Sequence, residues 1–282
     1  MRLLEGEAVQ YRGVVYLVKG YQHPEGFLVA YPRYSLLTRR PLQHMSAYYT
    51  VEYEYWDCVK HYVPLVSLSE ALPIRAKLDE RVLATAEILA HLLDVSSEHV
   101  YVSGSALVSD SYGDVDVVVY NVSEDSVEKV RRLVEVGGFK RSAHLLVSEY
   151  VRRHSSQLAL REYLVLKKNT ILHFALHGVH VNLKLVRLEQ GYQGCVDPVY
   201  EYSYYSGPVE VSRPETPHTL PARYSARWRG GEVVVESLRE LYAELTPGVY
   251  YAENARLEVR SSGLYLVPDH GVLKPVRVSE SE

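Results

Sequence analysis

Cysteine is nearly absent from this chain, and methionine, tryptophan and phenylalanine are little better represented: two, two, two and three residues in 282. The two cysteines, Cys58 and Cys195, lie far apart and form no metal-ligand spacing, which excludes a cysteine-ligated metal centre. In a reducing compartment both are expected as buried small hydrophobes rather than as a disulfide. Scarcity of methionine, asparagine and glutamine removes thermolabile side chains, a tendency of thermophiles. No apolar run approaches the roughly 20 residues of a membrane span. The opening Met1-Arg2-Leu3-Leu4-Glu5-Gly6-Glu7 has acids where a signal peptide needs an apolar stretch. The expectation is a cytoplasmic protein with no membrane partner.

What is present is the composition of a folded domain, 47% hydrophobic and 23% charged, with length enough for about two domains. Tyrosine takes the place of phenylalanine, 25 against 3. Most of these tyrosines suit half-buried strands; the other reading is a stacking platform for bases. The net charge of −4 hides an asymmetry. Residues 129 to 187 carry twelve basic and three acidic side chains. Such a band suits a triphosphate, a leaving pyrophosphate or a nucleic-acid acceptor, or else it is a set of solvated helix faces paired with acids elsewhere.

Turn residues and hydrophobic period divide the chain into three parts, 1–75, 76–188 and 189–282. The first reads as β-rich. Apolar runs at 13–20 and 26–31 are bracketed by turn residues, His23-Pro24-Glu25-Gly26 joins them, and Tyr48 to Trp56 alternates as a half-exposed strand would. His23 reads as a turn residue rather than a ligand. In the second part Asp79 is expected to cap a helix with Val82, Leu83, Ala86, Leu89 and Leu93 on its apolar stripe. Ser123 opens another, which Gly137-Gly138 stops. A hairpin follows, 171–176 and 179–186 around His177-Gly178. The third part returns to short strands at 208–212, 223–228, 232–236, 254–260 and 264–267, which suggests a small sandwich or barrel without identifying an oligonucleotide-binding one.

One stretch declares a chemistry. The apolar run Val100-Tyr101-Val102 delivers Ser103-Gly104-Ser105, and a second apolar run carries Asp114-Val115-Asp116. Strand geometry points residues i and i+2 to one face, so both carboxylates aim together. Two adjacent acids repel unless a cation sits between them, and oxygen-only ligands select a hard ion such as magnesium. Gly104 lets a phosphate approach the backbone and Ser105 offers a hydroxyl. The bland alternative is a turn followed by a strand whose aspartates stand in solvent.

Gly104-Ser105 with Asp114-Val115-Asp116 resembles the signature of the polymerase-β-like nucleotidyltransferase superfamily. The segment 23–31 resembles the opening of archaeal proteins in that superfamily. The resemblance implies an α+β fold class: a mixed-sheet nucleotidyltransferase core at 76–188 flanked by N-terminal (1–75) and C-terminal (189–282) β-rich modules. It further implies a nucleoside triphosphate bound with magnesium, or manganese, and transfer of the nucleoside monophosphate to a hydroxyl. Asp114 and Asp116 become the catalytic and metal-binding pair, and Gly104, Ser105 and Lys184 the nucleotide-binding residues. The superfamily draws a third carboxylate from a later strand. Here the matching strand, 179–186, presents His180, Asn182 and Lys184. Asn182 offers a metal a neutral oxygen but cannot act as a base. Three functions remain open: a nucleotidyltransferase acting on nucleic acid or protein, a degenerate nucleotide- or nucleic-acid-binding module, and a regulatory partner that binds through strand edges.

Overall fold

The computed structural model describes residues 3–42, 53–74, 80–109, 113–141, 143–167, 169–187 and 194–276. The expected Asp79 cap and the part of the 48–56 strand before Tyr53 lie outside them. The chain divides into two compact units. One comprises Met1–Asp57, His61–Ser142 and Ile171–Val196; the other comprises Cys58–Lys60, Ala143–Thr170 and Asp197–Glu282.

In the first unit an antiparallel sheet runs Tyr53–Trp56, His61–Ser67, Phe27–Ser35, Val14–Val18, Ala8–Tyr11 and Leu72–Pro73, with Arg40–Pro41 paired to the long third strand. Val9, Tyr16, Val18, Leu28, Ala30 and Val66 form its buried core. A second, mixed sheet runs Lys140–Arg141, His173–Leu176, Val179–Val186, Val115–Tyr120 and Val100–Ser103. Only the pair Val179–Val186 with Val115–Tyr120 is parallel. The hairpin turn is as expected, with His177 and Gly178 both at positive φ, the geometry of a two-residue turn whose twist matches its strands. Helices Glu80–Leu93 and Glu124–Glu135 are joined by the Ser126 hydroxyl, which donates to the Leu93 carbonyl at 2.9 Å. Ser123 caps the second helix through a reciprocal box with Ser126, and Gly137, at φ +77°, follows its end, as glycine after a helix should.

The second unit holds a five-stranded barrel. Its strands, first to fifth in sequence, are Val199–Pro214, Ala222–Trp228, Gly231–Ser237, Gly248–Arg260 and Gly263–Val267. They pair first–second–third–fifth–fourth and back to the first, the third–fifth pair parallel and the others antiparallel. Closure removes the sheet edge. Tyr224, Ala226, Val235, Ala252 and Leu266 are buried. Across the barrel wall charges alternate: Arg223 meets Glu236 at 2.8 Å, Glu236 meets Arg260 at 2.6 Å, Arg260 meets Glu258 at 2.7 Å and Glu258 meets Arg256 at 3.1 Å. Helices Ala143–Glu149 and Leu160–Lys167, with a π-helical turn Tyr150–His154 between them, belong to the same unit. Lys167 anchors them. Its fully buried ammonium donates to the Glu240 carbonyl at 2.7 Å and lies 3.7 Å from the Glu244 carboxylate.

Two expectations are overturned. The chain is mostly β, 46% strand against 24% helix, with a closed five-strand barrel and four α-helices among the described residues. It is therefore not an α+β fold built on a mixed-sheet nucleotidyltransferase core. The physical reason lies in the first 75 residues, which hydrogen-bond directly into the central sheet. Ser103 Oγ donates to the Gly6 carbonyl at 2.7 Å, Tyr120 Oη to the Glu5 carbonyl at 2.9 Å and Tyr101 Oη to the Ile74 carbonyl at 2.7 Å. The central strands are thus part of a larger β unit rather than of a layer faced mainly by helices. Second, Cys58 and Cys195 are disulfide-bonded, not free thiols. No helix among the described residues is long and apolar enough to cross a membrane.

Candidate functional site

The two halves of the Gly-Ser/Asp-apolar-Asp pattern meet. Ser103 pairs with Asp116 in the antiparallel register, which puts the following turn against the carboxylate. Gly104 begins the short 3-10 turn Gly104–Leu107 at φ +73°. A Cβ at this position would overlap Asp116 Oδ2 and stand 2.8 Å from its Cγ. Glycine is required twice here, by the backbone conformation and by the carboxylate that fills its side-chain space. Ser105, next in the turn, is half-buried.

Asp116 is 7% exposed. Its Oδ1 accepts a 2.7 Å hydrogen bond from Asn182 Nδ2, because the parallel register sets the two residues side by side. Asn182 Oδ1 is buried and has no hydrogen-bond partner among the described residues. An unsatisfied buried acceptor costs about 1–3 kcal/mol, so its position next to a carboxylate calls for a ligand. Lys184, two residues on and on the same face, is half-buried opposite Val118. Asp114 is also half-buried but precedes the strand, which starts at Val115. It stands outside the ladder.

The same register extends the polar row one strand further. His173 pairs with Asn182, so Ser103, Asp116, Asn182 and His173 form a line across four strands, all buried. His173 escaped the sequence reasoning. A two-residue turn at 177–178 pairs 176 with 179 and therefore 173 with 182, so counting back along the hairpin would have found it. The face carrying this row is met by the N-terminal segment. Gly6 receives the Ser103 hydroxyl and abuts Val118, and buried Glu5 is held by Lys19 at 3.1 Å.

Among the described residues no three His, Cys, Asp or Glu side chains are grouped to hold a metal. Magnesium does not need such a cage, since it keeps several waters and takes one or two carboxylates together with substrate phosphates. Asp116, Asp114 and the Asn182 carbonyl are oxygen donors of that kind, and the unpartnered Asn182 Oδ1 is the observation that fits the ion. His23, expected in a turn, is instead a buried bridge residue paired antiparallel with Gly194 just before the turn. Its Nδ1 accepts the Val29 N–H at 3.1 Å, and burial lowers its pKa to about 4. Comparison with known proteins yields no match to a family model, a curated protein or a solved structure.

Proposed function

We propose that the chain binds a nucleoside triphosphate with magnesium, or manganese, at the Gly104 turn. It transfers the nucleoside monophosphate to a hydroxyl on a nucleic acid or protein. The observation that carries this reading is the interlock of Gly104, Asp116 and Asn182: a carboxylate seated in the space of a missing side chain, beside a buried carbonyl oxygen with no partner among the described residues. In the transfer the acceptor oxygen bonds to the α-phosphorus. The bond from that phosphorus to the bridging oxygen breaks, and the electron pair leaves with pyrophosphate. The metal, when bound, supplies charge stabilisation at the phosphate oxygens. Asn182 holds Asp116 in one orientation, Gly104 and Ser105 face the phosphates, and Lys184 adds positive charge. Asp114, the half-buried acid two residues before Asp116, takes the acceptor's proton in this reading.

The reading puts the protein in the cytoplasm, where nucleoside triphosphates are made. A disulfide there accords with the thermophile-like composition, because intracellular proteins of hyperthermophiles keep disulfides. The test is incubation of the full chain with each α-labelled nucleoside triphosphate, magnesium or manganese, and total RNA or protein. Label appears in one pool and disappears in the Asp114→Asn/Asp116→Asn double variant. Nucleotide binding without transfer at any temperature below unfolding overturns the transfer step. It would favour a binding module, for which Asn182 in place of a third carboxylate is the specific argument.

A further inference from the structure

The second unit carries a surface that the nucleotide site does not use. The first half of the barrel's first strand reads Tyr200-Glu201-Tyr202-Ser203-Tyr204. Tyr202 and Tyr204 alternate along one side, Tyr200 stands at the register shift between Val199 and Glu201, and the three are 59%, 45% and 54% exposed in chain order. Tyr202 pairs in register with Glu258, and Tyr204 with Arg256. Arg256 is 1% exposed. Its guanidinium carbon lies 4.0 Å from the centre of the Tyr202 ring, while an Nη2 hydrogen bond of 2.7 Å to the Val59 carbonyl fixes it from behind. The Tyr202 and Tyr204 rings then meet edge to face at 6.1 Å. These rings are held by the protein before any ligand arrives, so little side-chain freedom is lost on binding.

We propose that this tyrosine row binds single-stranded nucleic acid by base stacking. Three features select that occupant. Alternate residues of a strand are about 6.7 Å apart, twice the roughly 3.4 Å step of stacked bases, and the Tyr202 and Tyr204 planes stand at 84°, so the two rings take bases of an unstacked, splayed strand and not of a stacked one. A guanidinium behind Tyr202 draws electron density from the ring. Its outer face is then better matched to the π-system of a base than to the C–H groups of a sugar, which seek electron-rich rings. The carboxylate opposite Tyr202 in register, Glu258, is bracketed by Arg256 and Arg260. The face therefore does not repel a polyanion, yet it offers few free charges to phosphates. Barrels that pair first–second–third–fifth–fourth are a known platform for oligonucleotides or oligosaccharides. Topology alone does not assign a ligand, and the row lies on the first and fourth strands.

The test uses the full chain without metal or nucleotide, so its outcome is separate from that of the transfer site. Fluorescein-labelled oligo(U) twelve nucleotides long is titrated by anisotropy. Tyr202→Ala weakens binding by about 5- to 150-fold, the loss of one stacked base, whereas Tyr202→Phe binds as the parent does. A duplex of equal length competes poorly, and the slope of log affinity against log salt is shallow, about −0.7 for each of one or two phosphates engaged. Three results overturn the proposal: no binding by the parent up to 100-fold excess, parent-like binding by Tyr200→Ala/Tyr202→Ala/Tyr204→Ala, or displacement of the probe by a neutral oligosaccharide. All three tyrosines are exposed, and the far-ultraviolet spectrum and melting temperature of each variant verify that it folds.

Discussion

Replacing Gly104 with alanine perturbs the site by one methyl group. The backbone there sits at φ +73°, where a Cβ costs roughly 1–2 kcal/mol. The methyl also enters the space of the Asp116 carboxylate, 2.8 Å from its Cγ, closer than side-chain atoms approach. Asp116 must swing away, which breaks its 2.7 Å bond with Asn182 and leaves two buried polar groups unsatisfied at about 1–3 kcal/mol each. The expected loss is about 3–8 kcal/mol, together with metal-dependent nucleotide binding. The chain carries one tryptophan in each unit, Trp56 and Trp228, so urea unfolding can be followed unit by unit. In a Trp228→Phe background the midpoint reported by Trp56 drops for Gly104→Ala, while in a Trp56→Phe background Trp228 moves less. In an Asp116→Ala background the same glycine change costs only the backbone part, about 1–2 kcal/mol. A Gly104→Ala protein with parental stability and parental nucleotide binding refutes the reasoning.

Three other perturbations follow from the same structure. Asn182→Asp places a carboxylate next to Asp116, so the variant is less stable than the parent in a chelator and gains more from added magnesium; thermal melts with and without the ion decide, and a melt indifferent to magnesium counts against a metal there. The Glu244 side chain is buried, 4% exposed. Burial alone would raise its pKa, but hydrogen bonds from His218 and Thr170 and the charges of Lys167 and His218 hold it down to about 2. Its contribution is complete above about pH 4.5 and is lost as pH falls toward 2; Glu244→Gln is less stable at pH 7 by about 3–5 kcal/mol and shows a flatter acid decline, read by Trp228. His23 has its pKa lowered by burial to about 4, so stability is full above about pH 6.5 and is lost between 6.5 and 4 as the unfolded chain takes up the proton first. His23→Gln removes that slope from the Trp56 transition, and an unchanged slope would assign the acid sensitivity to another group.

Local patterns were legible and long-range ones were not. The Ser123 cap, the Gly137 stop and the His177-Gly178 turn are read from a few neighbouring residues, and each forms as expected. The pairing of turn and acid was legible too, because two apolar strands joined by so short a connection have few other ways to lie. The five strands of the barrel were foreseen but too short. Tyr200 to Ser206 alternates tyrosine with polar residues, exposed on both sides, so no apolar face marks it as strand; its pairing with the fourth strand supplies what hydropathy does not. The fold class went wrong because hydrophobic period identifies helices without showing what packs on a sheet. Nothing local in Glu5-Gly6 announces that their carbonyls will receive Tyr120 and Ser103. The disulfide was missed for a similar reason, since an assumed reducing compartment outweighed a pairing that only the folded chain brings about. Asp114 was expected in line with Asp116 on the strand, yet the ladder starts one residue later.

Calorimetric titration of the full chain with ATP and the other nucleoside triphosphates, in magnesium and then in chelator, tests the central claim most directly. The site at Gly104, Asp116 and Asn182 predicts saturable binding of at least one triphosphate that requires the metal. That binding is lost in Asp116→Asn and Asp114→Asn, and it survives Tyr202→Ala. Binding that persists in chelator, binding that both aspartate variants retain, or no binding of any triphosphate with magnesium or manganese would contradict it.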